Sequence, residues 1–154
     1  MNFLRSKTKT ILLTGFIAGT LDIISAIVIF ADGNVTGVLK FIASGAIGNA
    51  AMDGGYEMVC LGLIIHYIIA YSFTVGFFLI YPLVPLLRKS ILINTIFYGC
   101  FIWSFMNFLI LPLTHNPPGP VELVHVSTNI GILIYAIGFP VVFMAKRHYS
   151  KSTH

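Results

Sequence analysis

Residues 5–31 read RSKTKTILLTGFIAGTLDIISAIVIFA, a basic segment followed by an apolar run from Ile11 to Ala31. About 20 apolar residues are enough for one helix to cross the hydrocarbon core of a bilayer. The run is too long for the apolar region of a secretory signal, and it contains Asp22. It therefore predicts a retained transmembrane helix over roughly residues 11–31.

Three more apolar runs follow, at roughly residues 58–81, 91–113 and 121–145. Pro82 and Pro85 end the first of these, because proline lacks the backbone N–H that a helix interior needs. Pro140 lies inside the last run and predicts a bend near Ala136. The sequence thus predicts an all-α fold, a polytopic membrane four-helix bundle that forms a single transmembrane domain over residues 1–154.

The connection between the first two runs contains a helical pattern of its own within residues 35–52. This segment is too short to cross a bilayer twice and too polar to cross it once. Its apolar residues recur at helical spacing, at Val38, Leu39, Phe41, Ile42, Ala46 and Ile47. We expect an interfacial or re-entrant outer helix, with residues 38–50 against the bundle or lipid. A short helix that only covers the bundle is the alternative.

The basic residues alternate with the four runs. Eight of the nine Lys and Arg residues fall on one side if every run crosses the membrane, namely Arg5, Lys7, Lys9, Arg88, Lys89, Lys146, Arg147 and Lys151. Lys40 falls on the other side with Asp32, Asp53, Glu57 and Glu122. Positive residues concentrate in cytoplasmic loops. We therefore expect a multi-pass protein with both termini in the cytoplasm.

Composition and motifs exclude several classes of function. The chain is 57% hydrophobic and only 9% charged, whereas soluble proteins average about 25% charged residues. Its net charge of +4 is explained by orientation and by anionic lipids, so membrane lipids are the expected partners and nucleic acid is not. Cys60 and Cys100 form no redox or metal motif. Because no catalytic motif is present either, we expect no enzymatic activity, no metal and no cofactor.

A polar residue from each helix falls near the middle of the membrane. At a rise of ~1.5 Å per residue, Asp22 lies roughly 17 Å from the basic side, and His66 and Asn129 lie roughly 18 Å from it. Ser104 comes out at about 20 Å. Polar groups inside a bilayer are costly and are commonly functional. Asp22, His66, Asn129 and Ser104 are therefore the candidates for a ligand or proton site.

A second, outer polar layer holds Asn107 and His125, both roughly 24 Å from the basic side. A bis-histidine haem or a zinc site would need His66 and His125 at similar depth. They differ by roughly 6 Å, which argues against both sites. The alternative interpretation of both layers is structural, since polar groups also hydrogen-bond across helix interfaces and fix packing.

Asp22 and His66 are the strongest candidates. Each lies on a stripe of small residues that should face the bundle interior, the stripes being Gly15, Ala18, Gly19, Asp22, Ser25 and Ala26, and Gly62, His66, Ala70 and Thr74. We expect the two side chains to face each other within hydrogen-bonding reach, directly or through one water. A charged pair and a neutral hydrogen-bonded pair both fit the sequence.

Several short segments carry a resemblance over nearly the whole chain: AGTLD (18–22), FIASGAIGNAAMDGG (41–55), LGLIIHYIIAY (61–71), YG (98–99) and LPL (111–113). With these segments the chain resembles a widespread group of small four-helix bacterial inner-membrane proteins of uncharacterised function. The resemblance implies the four-helix architecture and an inner-membrane location, and it implies no activity.

Two functional classes remain from the sequence. The first is a small transporter, channel or proton-linked membrane protein that uses Asp22 and His66. The second is a structural or accessory membrane subunit whose polar layers only fix packing. The sequence leaves open whether the chain forms a homo-oligomer or joins a partner membrane subunit.

Overall fold

A computed structural model describes residues 2–116 and 122–150, with side chains from Lys7 onward. Within these ranges the chain is helical and has no strand, which confirms the all-α fold. The helices are α1 (Asn2–Phe30), α2 (Val35–Ile47), α3 (Ala50–Asp53), α4 (Tyr56–Ile80), α5 (Ile91–Phe105), α6 (Leu123–Leu133) and α7 (Phe139–Ser150). The first residue of the fourth predicted run and the side chains of Arg5 and Lys151 lie outside the described part.

Four stretches of helix are long and apolar enough to cross a membrane: Lys7–Phe30, Tyr56–Ile80, Ile91–Leu113 and Leu123–Ser150. Two of them are composite. The third joins α5 to a π-helical turn (Met106–Ile110) and a short 3-10 turn, and the fourth joins α6 to α7 through a π-helical turn (Ile134–Gly138). The chain is a multi-pass membrane protein, and its helices correspond to the predicted runs.

The predicted outer helix is present as α2, with α3 after it. Asn34 begins α2, because its side-chain oxygen accepts a hydrogen bond from the backbone N–H of Gly37 over 2.9 Å. Gly48 ends it with φ of +83°, a left-handed conformation that glycine adopts at little cost. The helix therefore stops at Ile47, and the predicted continuous segment is broken in two.

Glycines bring the helices of the first half of the chain together. Gly62 of α4 lies so close to the carbonyl group of Leu39 in α2 that a Cβ atom there would overlap it. Gly15 and Gly19 of α1 receive the rings of Tyr71 and Tyr67 of α4 in the same way. Both helices therefore pack closely on α4, with α2 at Gly62 and α1 at Tyr67 and Tyr71.

The two ends of the bundle differ in charge and in packing. The basic end carries Lys7, Arg88, Lys146 and Arg147, and the acidic end carries Asp32, Asp53 and Glu57. The half toward the basic end holds a dense core of Ala18, Phe77, Phe78, Tyr81, Tyr98, Ile102, Leu133, Ile137, Val141, Val142 and Ala145. At its end the hydroxyl of Tyr149 donates to the Phe78 carbonyl oxygen over 2.7 Å.

The π-helical turn at Ile134–Gly138 lies where the sequence predicts a bend. Pro140 has no N–H to donate to the carbonyl oxygen of Ala136, one turn earlier, so the regular helix is interrupted there. Gly99 of the facing helix, α5, packs directly against Ile134. Gly138 of the turn packs against the carbonyl oxygen of Thr95 in α5. The wider turn therefore fits against α5 only because two glycines provide the space.

Candidate functional site

The half toward the acidic end encloses a cavity, which we call the central cavity. It has a volume of about 450 Å³ and lies between α1, α2, α4, α6 and the third span. Four of the six predicted site residues line it: Asp22, His66, Asn107 and Asn129. Most of the remaining lining is apolar, so these few polar groups dominate its chemistry.

A second cavity of about 570 Å³, the adjoining cavity, lies between the end of α1, α2 and the start of α6. It shares Asp22 and His66 with the central cavity. Toward the acidic end it is lined by Asn34 and His125, and the ring of His125 stacks on Phe30 with centroids 4.6 Å apart. Asp22 and His66 therefore stand where the two cavities meet.

The Asp22 side chain projects from the middle of α1 into this junction. Among the described residues, none donates a hydrogen bond to its carboxylate, and no cationic group lies within ion-pair distance. A carboxylate removed from water in this way needs a partner, which must come from water, a proton or a ligand.

His66 is buried, and its position is set by α1. Its Nε2 atom lies 2.8 Å from the carbonyl oxygen of Gly19. A carbonyl oxygen only accepts, so Nε2–H is the donor and Nδ1 of the neutral ring is left as an acceptor. The ring also meets Tyr67 edge-on, with centroids 5.5 Å apart. The imidazole is thus held in one tautomer while it borders both cavities.

The expected direct hydrogen bond between Asp22 and His66 is absent. Both side chains face the same cavities, but the ring N–H of His66 is given to Gly19. The physical reason is proximity: α1 and α4 approach so closely at Gly19 that a main-chain acceptor lies within reach of the ring. A link between the two side chains through one water stays a prediction.

The two asparagines on the cavity wall differ in what they offer. Asn107 donates from Nδ2 to the carbonyl oxygen of Trp103 on its own helix over 2.9 Å, which leaves its amide oxygen for the cavity. Asn129 is half-buried, and no described protein group bonds its side chain. The Asn129 amide therefore offers the cavity both a donor and an acceptor.

Ser104 and His125 stand apart from the central cavity. Ser104 lies outside both cavities, so the structure does not bring it to the midplane site with Asp22. His125 borders only the adjoining cavity, where it is exposed. The outer polar layer is therefore divided, with Asn107 on one cavity and His125 on the other.

Sequence reasoning missed the residues that close the acidic end. Asn116 donates from Nδ2 to the Phe41 carbonyl oxygen over 2.8 Å, and its side chain also exchanges hydrogen bonds with the Ser44 hydroxyl. The backbone N–H of His115 donates to the Gly45 carbonyl oxygen over 3.0 Å. These bonds fasten the end of the third span onto α2, and nothing local in the sequence signals such a long-range pairing.

Three phenylalanines that the sequence does not single out also line the central cavity: Phe30, Phe41 and Phe73. An aromatic residue in an apolar span gives no depth or orientation signal by itself. Among the described residues, no group of three or more His, Cys, Asp or Glu side chains could hold a metal ion. The cavity is therefore an aromatic and aliphatic chamber with one carboxylate.

Comparison with protein-family models, with curated proteins and with solved structures finds no match for the chain.

Proposed function

We propose that this protein is a small proton-linked transporter of organic cations, in which the Asp22 carboxylate holds either a proton or the cation. The observation that carries the proposal is a midplane carboxylate that faces a cavity of about 450 Å³ and receives no hydrogen bond from the described residues. Intramembrane acids of this kind mark ligand and proton pathways more often than packing sites.

The charge of the cavity favours a cation. Among the described residues on the wall of the central cavity, Asp22 is the only acidic one, and none is Lys or Arg. An anion placed there would meet the carboxylate in a low-dielectric environment, where like charges repel strongly. A cation would neutralise a carboxylate that the protein itself leaves unpaired.

The wall of the cavity favours an organic cation over an inorganic one. Na⁺, Mg²⁺ and Ca²⁺ need several oxygen ligands, whereas this wall offers one carboxylate and a few amides among apolar residues. The rings of Phe30, Phe41 and Phe73 line the cavity instead, and aromatic rings attract alkylammonium groups. A binding site with one carboxylate and aromatic walls is suited to amines and quaternary ammonium ions.

Transport is linked to protons in this proposal because one carboxylate binds either a proton or the cation. Asp22 cannot bind a proton and pair with a cation at once, so each ligand weakens the binding of the other. His66 borders the same junction, and the Nδ1 atom that its bond to Gly19 leaves as an acceptor is a second group that can take up a proton. The adjoining cavity extends from this junction toward the acidic end, where Asn34 and His125 line it.

We further propose that the basic end faces the cytoplasm and that the membrane is the bacterial inner membrane. Eight of the nine Lys and Arg residues support the first statement, and the sequence resemblance supports the second. In this orientation the two cavities lie in the half of the bundle nearer the outer side. The dense core of the basic half then separates the site from the cytoplasm.

Transport of a defined probe tests the proposal. The protein is reconstituted into phosphatidylethanolamine–phosphatidylglycerol vesicles with an acidic lumen, and uptake of radiolabelled tetramethylammonium is followed. We expect accumulation that collapses with the pH gradient and is lost in Asp22→Asn. Asp53→Asn is the matched control, because Asp53 is exposed and lies outside both cavities. Equal accumulation by wild type and Asp22→Asn, or none by wild type, would refute the proposal.

The structural role is the second candidate, and one observation favours it. The hydrogen bond from His66 to Gly19 joins α4 to α1, which is the packing function that a polar group inside a bundle can serve. An accessory subunit would need no more than this. The unpaired Asp22 carboxylate is the feature that this role does not explain.

A further inference from the structure

A groove runs along the surface between α4 and α5. These helices are consecutive in the chain, yet their backbones stay apart, and aromatic side chains bridge the gap between them. The Tyr98 hydroxyl donates to the Phe73 carbonyl oxygen over 2.6 Å, and the rings of Phe77 and Tyr98 lie 4.5 Å apart. The resulting α4–α5 groove has a volume of about 510 Å³ and an almost entirely apolar lining.

The groove adjoins the central cavity. Ile69, Phe73 and Ile110 line both of them. Among the described residues, these three side chains border both spaces, so a chain in the groove and a head group in the central cavity would meet beside them. Beyond that layer lie Ser72, Gly76 and Phe101, on the face that the bundle turns toward lipid.

We propose that the transported cation is an amphiphile, a long-chain alkylamine or alkylammonium ion that reaches the central cavity sideways from the membrane. Its charged head pairs with Asp22, and its alkyl chain lies in the α4–α5 groove. This inference rests on the proposed function, because it assigns the chemical class of the ligand to the same site.

The dimensions of the site fit such a molecule. From His66 to Gly76, α4 rises about 15 Å, which is close to the length of an extended dodecyl chain. The groove contains no charged residue, so it can take only an uncharged chain. The central cavity contains a carboxylate and no Lys or Arg, so it suits a cationic head and repels the phosphate of a phospholipid.

The membrane explains why the route is lateral. Lipid chains are as apolar as the groove, so an alkyl chain gains little by leaving the bilayer. It also loses little, and an amphiphile can move its head from the headgroup region to Asp22 while its chain stays in apolar surroundings. A route through the adjoining cavity from the aqueous side would instead require the whole chain to leave the bilayer for water, which is unfavourable for an apolar chain.

Two glycines allow a matched test. At Gly76 an added Cβ atom meets nothing within 4 Å, and the side chain would project into the groove. At Gly131 an added Cβ atom also meets nothing within 4 Å, and this residue lines neither the cavities nor the groove. At both positions the first atom of a new side chain has free space, so Gly76→Leu extends a side chain into the groove and Gly131→Leu makes the same change elsewhere.

The experiment measures binding of two labelled probes with the same head, dodecyltrimethylammonium and tetramethylammonium. The protein is held in phosphatidylcholine nanodiscs, and binding to protein-free nanodiscs is subtracted. We expect Gly76→Leu to weaken dodecyltrimethylammonium binding about tenfold, relative to Gly131→Leu, and to leave tetramethylammonium binding unchanged. Asp22→Asn should weaken the binding of both probes.

The outcomes separate the two proposals. Equal affinity of Gly76→Leu and Gly131→Leu for dodecyltrimethylammonium refutes the lateral amphiphile site, even if Asp22→Asn still abolishes binding. Unchanged binding of both probes in Asp22→Asn refutes the proposed function as well. Equal weakening of both probes by Gly76→Leu would show that the groove affects the cavity only indirectly, and this also overturns the amphiphile assignment. Each variant is first shown to unfold in nanodiscs at no lower a temperature than wild type. If Gly76→Leu unfolds at a lower temperature, Gly76→Ala replaces it.

Discussion

The imidazole of His66 donates a hydrogen bond from Nε2 to the backbone carbonyl oxygen of Gly19 over 2.8 Å, which joins α4 to α1 in the middle of the bundle. The absence of a side chain at Gly19 allows the helices to approach closely enough for this bond. The same bond fixes which ring nitrogen carries hydrogen in the neutral state. One interaction therefore sets both the spacing of two helices and the proton acceptor at the cavity junction.

His66→Ala should destabilise the protein by about 1–2 kcal/mol, because the bond to Gly19 is lost and the space left by the ring is not refilled. Unfolding in detergent can be followed by the fluorescence of Trp103, the single tryptophan. His115→Ala is a useful comparison, since His115 is exposed and its side chain makes a longer, 3.3 Å contact. Equal stability of wild type and His66→Ala would contradict this interpretation of the bond.

Asp22→Asn should leave the free energy of unfolding within about 0.5 kcal/mol of wild type, or raise it. The physical reason is that the described protein groups give the carboxylate no hydrogen bond, so the amide loses none. The same fluorescence measurement applies. A loss of more than about 1 kcal/mol would reveal a stabilising partner of Asp22 and would weaken the case for a ligand site.

The effects of Asp22→Asn and His66→Ala on stability should add to within about 0.5 kcal/mol, since no hydrogen bond joins the two side chains. A double-mutant cycle on unfolding measures this. Coupling well above that value would show a water-mediated link that contributes to folding. A double-mutant cycle on tetramethylammonium binding should instead show coupling between the two substitutions, because both residues border the same junction.

Gly62→Ala should destabilise the protein by about 1–3 kcal/mol, because the added Cβ atom overlaps the carbonyl group of Leu39 and must push α2 away from α4. Gly131→Ala makes the same change at a site with free space, and there alanine should raise helix stability by up to about 1 kcal/mol. Thermal unfolding of the two variants measures whether stability falls in Gly62→Ala and rises in Gly131→Ala. A Gly62→Ala variant as stable as Gly131→Ala would mean that α2 does not pack on Gly62.

Single cysteines at positions 34, 115 and 150, in a background without Cys60 and Cys100, test the orientation. An impermeant thiol reagent should label positions 34 and 115 in intact cells and should reach position 150 only after the membrane is permeabilised. The reason is the concentration of Lys and Arg at the basic end. Labelling of position 150 but not of position 34 in intact cells would reverse the assignment.

The spans could be predicted from the sequence because apolar length and basic clusters are local properties. The same holds for the helical outer segment, whose apolar residues repeat at helical spacing. Gly48 was not recognised as a break, since glycine is also common inside membrane helices and its left-handed φ depends on the turn it enters. Element type was therefore predictable, and the exact end of α2 was not.

The candidate site was predictable only in part. Depth counting placed Asp22, His66 and Asn129 in one layer, because rise per residue and span boundaries suffice for that. It assigned Asn107 to a separate outer layer, although all four residues line the central cavity. It could not give the rotation of each helix, so Ser104 was included although it lies outside the cavity. Nor could it foresee that His66 bonds a backbone carbonyl, since that acceptor exists at every position of every helix.

The uneven packing of the two halves has a consequence for the response to hydrostatic pressure. Pressure favours states of smaller total volume, and volume is lost when water fills internal space. The half toward the acidic end encloses cavities of about 450 and 570 Å³, whereas Val141 and Val142 in the other half are fully buried in a dense core. Compression should therefore hydrate the surroundings of Asp22 and loosen α2 first, while α7 keeps its packing, so that one end of the bundle is soft and the other is stiff.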